Sequence, residues 1–237
     1  MKNSYEKMVL TLEELKTFIK NSKYIDEVTS NREGSYSFTQ IETYHTNAKN
    51  KKNAYAITIM KELIKTPVSS LTSEQLNYLT KEFASLDLED CLVVASSTAL
   101  PTREAYNQAT DIVTTHIKNI KHFFNVDKML SRGYSGNRPE IVSESIEAIK
   151  IAAQQDCTIN LLKLIASNPE ILTIQDVSGN NLGMEFARLG LQDCLDIALT
   201  NEDACKQKNE AGLTIEAMVE LSKPKALRKK EYKELSL

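Results

Sequence analysis

The chain has 237 residues, enough for one large domain or two small ones with a buried core. An apolar share of 41% beside 26% charged residues excludes intrinsic disorder, and only 7 Gly and 5 Pro exclude the many tight turns of a β-sandwich or barrel. The net charge of −3 conceals a basic segment, +5 over 223–233, behind a body of −7 over 1–222. That body is too acidic for general nucleic-acid binding, which draws its affinity from phosphate contacts.

Residues 1–7 run straight into an amphipathic pattern with no apolar h-region, so no secretory signal is expected. No apolar run nears the roughly 18–20 residues of a membrane span, and the expected location is the cytoplasm. Thr11-Leu12-Glu13-Glu14 has the form of a capping box, with Leu12, Leu15, Phe18 and Ile19 following at helical spacing. A polar stretch at 29–34 closes this helix. A helix is predicted over 38–47, a loop over the lysine- and asparagine-rich cluster 47–53, and a helix again over 54–65. Ile57, Met60, Leu63 and Ile64 share one face of that helix, and Pro67 stops it. Short helices in pairs follow, near 73–85 and 88–97, 103–117 and 119–132, 142–154 and 157–167, 181–188 and 191–200, then 214–221 and 226–235. Pairs of this kind joined by short polar links point to an all-α helical array or solenoid.

Internal similarity is the strongest signal in the chain. Residues 82–95 (EFASLDLEDCLVVA) align with 185–198 (EFARLGLQDCLDIA), with nine of fourteen positions identical at an offset of 103. A second match, at an offset of 33, sets Asp176-Val177-Ser178-Gly179 against Asn209-Glu210-Ala211-Gly212. Gly179 and Gly212 are the residue type that a turn of positive φ selects. Leu182, Phe186, Leu189, Leu195 and Leu199 supply apolar contacts that one such unit cannot bury alone.

A helix–turn–helix unit opened by a glycine turn and recurring every 33 residues resembles the ankyrin repeat. The segment from Gly179 to Gly190 matches that family's first helix, and Leu191 to Leu199 its second. Asn201 to Asn209 looks like the return to the next hairpin, and Gly212-Leu213-Thr214 restarts the unit. The family's Thr-Pro-Leu-His is replaced by Asn181-Leu182-Gly183-Met184 and then by Thr214-Ile215-Glu216-Ala217. The resemblance implies an ankyrin-like helical solenoid over 70–237, clearest at 143–222, behind an N-terminal helical segment at 1–69. Divergent repeats of this type are similar to those of secreted effectors of intracellular bacterial pathogens, which implies a protein partner, a host protein included. Such a protein would reach the host cell without a signal peptide. The family's concave face, its hairpin tips and inner helices, corresponds here to Asp176, Ser178, Asn180, Asn181, Asn209, Glu210 and Leu213.

No phosphate-binding loop, dinucleotide fingerprint, nucleophile elbow or HExxH pair occurs, so no cofactor, metal or catalytic residue is assigned. The competing reading is an enzyme with its chemistry in the N-terminal half. Cys91 would be the nucleophile beside His45, His116 or His122, and the repeats would serve as substrate receptor. Against it, Cys91 and Cys194 hold equivalent places in the 103-residue match, which suits packing. Cys157 and Cys205 read the same way, and His116, Lys118, Lys121 and His122 read as a solvated face. Carboxylates such as Glu89, Asp90 and Asp193 sit at helix starts, where the helix dipole favours them. The basic 223–233 segment reads as the outer face of a capping helix, with a nuclear-import or acidic-lipid patch as the alternative.

Overall fold

The computed structural model describes residues 3–30, 38–66, 70–97, 99–133 and 139–223. Among these every regular element is helical, and extended pairing is confined to a bridge between Gln175 and Asn181. The chain is all-α. No helix among the described residues is long and apolar enough to cross a membrane. The predicted capping helix at 226–235 and the Pro67 stop lie outside the described residues.

The helices of the first two thirds are longer than the hydrophobic pattern predicts. Helix α1 spans Ser4–Ser30, starting ahead of the predicted box at Thr11. The reciprocal cap is at Asn3: its Oδ1 accepts from the Glu6 amide at 2.8 Å, while its own amide donates to the Glu6 carboxylate at 3.2 Å. Thr11 is mid-helix, its hydroxyl donating back to the Lys7 carbonyl. Helix α2 runs unbroken over Phe38–Lys65, through the cluster expected to be a loop. Asn50 explains this: it is buried, and its amide donates to the Ala148 carbonyl at 3.1 Å. The lysines around it face outward, with Lys51 over the Phe18 ring and Lys52 paired with Asp87. The helices α3 (Ser73–Ser85) and α4 (Glu89–Ser96) fall close to their predicted places. Thr72 and Gln75 form the capping box of α3. The next two predicted pairs are single helices instead, α5 (Thr102–Gly133) and α6 (Pro139–Ser167). Neither they nor α2 contain an internal Gly or Pro, so nothing in the backbone compels a break.

Contacts divide the chain into two compact units whose limits differ from 1–69 and 70–237. The first is Met1–Ala99 with Asp111–Ser167; the second is Leu100–Thr110 with Asn168–Leu237. In the first unit α2 lies between α1 and α6, α4 packs on α2 and α6, and α3 packs on α1 and α4. Met8, Leu12 and Leu15 form the buried stripe of α1, facing Ile57, Ile59, Met60 and Leu63 of α2. Leu79 and Phe83, then Leu161, Leu162 and Ile165, complete the core.

The second unit continues with a 3₁₀ helix (Pro169–Thr173), then α7 (Leu182–Leu189), α8 (Gln192–Ala198), α9 (Glu202–Lys206) and α10 (Ile215–Ser222). Helix α7 packs on α8 and α10, and α9 packs on the 3₁₀ helix and α10. Leu100–Thr110 is tied in by the Leu100 amide, which donates to Asn168 Oδ1 at 2.8 Å, and by Thr102, which donates to Glu170. Gly183, a helix-weakening choice by propensity, has a packing reason: an added Cβ would meet Ile215 and Ala198.

Both internal matches are matches of structure. In the 103-residue pair, Phe83 and Phe186 are fully buried, as are Cys91 and Cys194. Asp87 (φ 55°) and Gly190 (φ 71°) make the same left-handed turn. The amide of the residue just before the second helix then closes back in the same way, Leu88 to Phe83 at 2.8 Å and Leu191 to Phe186 at 3.0 Å.

Candidate interaction surface

The 33-residue match builds two hairpin turns of one design. In the first, the Asp176 amide donates to the Asn180 carbonyl at 2.9 Å and the Gly179 amide to the Asp176 carbonyl at 3.0 Å. In the second, Asn209 donates to Leu213 at 3.0 Å and Gly212 to Asn209 at 2.8 Å. Gly179 and Gly212 both have φ 76°. Each turn is followed by a helix capped from the side chain, Asn181 accepting from the Met184 amide and Thr214 from the Ala217 amide.

The two turns are also joined. The Glu210 amide donates to the Ser178 carbonyl at 3.0 Å, and Asn209 Nδ2 donates to Asn180 Oδ1 at 2.9 Å. Gln175 donates to the carbonyls of Gly179 and Lys208, and Gln207 to that of Thr173. An added Cβ on Gly179 would stand 3.0 Å from the Asn209 Cα. The hairpins therefore approach backbone to backbone.

This construction redistributes the residues read as a binding face. Asn181 is buried and donates to the Ala204 carbonyl and the Gln207 side chain, each at 2.9 Å, so no partner can reach it. Asp176 is exposed, but its Oδ1 accepts from the amides of Ser178 and Asn180, both at 2.8 Å. Asn209 Oδ1 accepts from the Leu213 amide at 2.9 Å. Asp176, Asn180 and Asn209 thus shape the tips, and Leu213 is half-buried beside them. Ser178 and Glu210 remain exposed. Sequence reasoning passed over Val177, which is 95% exposed at the tip of the first hairpin. Its signal was present: at an offset of 33 it replaces the charged Glu210 with a β-branched apolar residue. Tyr106, buried in the same unit, has its phenol pushed up by burial first and then by the charge of Asp176.

The residues considered for thiol chemistry are placed otherwise. Cys91 is fully buried, its Sγ 3.7 Å from the Ala56 carbonyl, and burial pushes its thiol up to about 12. His45 and His122 are exposed. His116 does not join the solvated face of Lys118, Lys121 and His122; it is buried, and burial lowers its pKa. His116 of α5 instead shares the lining of an open cavity of about 380 Å³ with a different cysteine, Cys157 of α6. Burial pushes the Cys157 thiol up to about 12. An activated thiol–imidazole pair needs a lowered thiol beside a charged ring, the reverse of what burial does here. No group of three or more His, Cys, Asp or Glu residues suited to a metal ion occurs among the described residues.

No protein-family model matches the chain, and comparison with curated proteins and with solved structures gave no match.

Proposed function

We propose that the second unit is a short ankyrin-like stack that binds another protein through its hairpin tips. The observation that carries this reading is the recurrence, 33 residues apart, of a glycine turn with φ 76° and a capped helix, with the turns bonded to each other. Stacked turns present their tips on one side, where a partner meets several repeats at once. Val177 is the apolar anchor of that edge, flanked by Ser178 and Glu210. Exposed apolar residues at a rigid, preformed tip lose little entropy on binding, and a few such positions usually hold most of an interface's energy. The likeness to repeats of secreted bacterial effectors makes host proteins the first partners to try.

The test is a partner captured from host lysate with the full chain, purified, and titrated against variants. Val177→Asp with Glu210→Lys should weaken binding tenfold or more, about 1.4 kcal/mol, without loss of helicity. The control places positive charge on α8, at Gln192→Lys with Asp196→Lys. A control that weakens binding while the tip variant does not would overturn the tip as the binding edge. Asp176 is a poor probe, because its substitution removes two acceptor bonds from the turn.

A further inference from the structure

We infer that the second half of α5 is a docking face for an anionic membrane surface, with Phe124 entering the headgroup layer and Lys118 and Lys121 meeting the lipid charges. It stands independently of the hairpin-tip reading, on other residues.

Helix α5 buries Val113 and His116, and then no described side chain through Val126. Apolar residues nevertheless continue at helical spacing, as Ile117, Ile120, Phe123 and Phe124. Ile117, Ile120 and Phe123 are half-buried, and Phe124 projects from the helix with 71% of its surface in water. Ile117, Lys121 and Phe124 follow at spacings of four and three and so share one row of the helix. Lys118 lies beside that row on its polar side. Both lysines are exposed, and neither is ion-paired among the described residues. Between Asp111 and Asp127 the sequence holds no Asp or Glu to oppose them.

Charge selects the occupant. A second copy of the chain would set these lysines against their own kind, and the basic segment at 223–233 would be repelled by them as well. The partner is therefore anionic, and it must also receive a projecting phenyl ring. A membrane surface offers both at once, lipid phosphates and carboxylates above a continuous apolar layer. An interfacial helix has this form, with large apolar side chains on one face and lysines on its flank. The lysine stems lie along the apolar surface while their ammonium groups reach the headgroups. The molecule as a whole carries a charge of −3, so an anionic surface attracts this face and repels the more acidic remainder, which fixes the orientation of docking. No helix among the described residues is long and apolar enough to cross a membrane, so the contact inferred lies on the surface.

The chain has no tryptophan, so Phe124→Trp in the full-length protein places a single reporter on the face. It is titrated with vesicles of phosphatidylcholine and phosphatidylserine at roughly 7:3, and with phosphatidylcholine alone. The expected result is a blue shift of emission that saturates below about 1 mM accessible lipid with the anionic vesicles, and none with the neutral ones. A reporter at the exposed tip of the second unit, Val177→Trp, should not shift. Lys118→Glu with Lys121→Glu, both exposed and so expected to keep the helicity, should weaken binding at least about tenfold. Flotation of the unaltered chain with the same vesicles, reduced by Phe124→Ser, should show that the tryptophan does not create the affinity. The inference is overturned if the Phe124→Trp signal stays unshifted, if Val177→Trp shifts in its place, or if the lysine reversals leave binding unchanged. It is overturned equally if Lys229, Lys230 and Lys233 replaced by Gln abolish binding that the Lys118 and Lys121 reversals spare. A shift with polyglutamate and none with vesicles overturns the lipid surface and assigns the face to an acidic protein.

Discussion

Gly179 and Gly212 share one backbone angle, φ 76°, but not one constraint. A side chain on Gly212 would meet nothing within 4 Å, whereas one on Gly179 would press on the backbone of Asn209 and Glu210. Gly212→Ala should therefore cost only the left-handed strain, about 1–2 kcal/mol. Gly179→Ala should cost at least about 1 kcal/mol more, because the second hairpin must move away. Urea denaturation of the two variants checks this, and equal losses would mean that the hairpins are not in backbone contact. His116 gives a prediction in pH. Its folded pKa lies below the ordinary value near 6.5, so between the two values the unfolded chain binds a proton that the folded chain refuses. Its contribution is present in full above pH 6.5 and is lost as pH falls through that window. Between pH 7.5 and 5.5 the wild-type urea midpoint should fall further than that of His116→Gln; identical slopes would contradict a buried neutral ring.

At the scale of elements, α7 sets helix propensity against packing. Alanine at Gly183 is favoured by about 1 kcal/mol in an isolated helix. Yet its Cβ would run into Ile215, a fully buried side chain of α10, and lie 3.1 Å from the Ala198 Cβ of α8. Overpacking of a rigid site costs about 1–3 kcal/mol, so packing should win and Gly183→Ala should destabilise. Adding Ile215→Val removes the terminal methyl and should recover part of the loss, a coupling that a double-mutant cycle reads directly. Additive effects would mean that the two helices do not meet there. The pair α7 and α8 was legible in the sequence because the turn glycine Gly179 and the interhelical glycine Gly190 punctuate it. So was the fold class, from the scarcity of Gly and Pro. The three long helices run through polar stretches where the hydrophobic pattern predicts breaks. Lys49, Lys51 and Lys52 are helix-compatible, and the partner that makes Asn50 a core residue, Ala148, lies 98 positions away.

At the scale of the whole molecule, the division into units cuts through a helix. Leu100–Thr110, with the first turns of α5, belongs with Asn168 onward, and the rest of α5 with the first unit. No break in the hydrophobic pattern marks that point, because the division depends on distant partners. The Leu100 amide is held by Asn168 Oδ1, Thr102 by Glu170, and the Tyr106 phenol feels the charge of Asp176. Amide protection follows the local unfolding unit rather than the secondary-structure element, so one helix can exchange in two parts. Phe186 is fully buried in the second unit, and Phe186→Ala should cost about 3–5 kcal/mol there. In hydrogen exchange followed by mass spectrometry, that variant should lose protection over 168–222 and over 102–110 together. Protection over 111–126 should fall less, because those residues rest on the core of the first unit. If 102–110 and 111–126 lose protection equally, α5 behaves as one cooperative rod and the boundary at Thr110 is wrong. If 102–110 keeps its protection while 168–222 loses it, Asn168 and Glu170 do not tie that segment to the repeats.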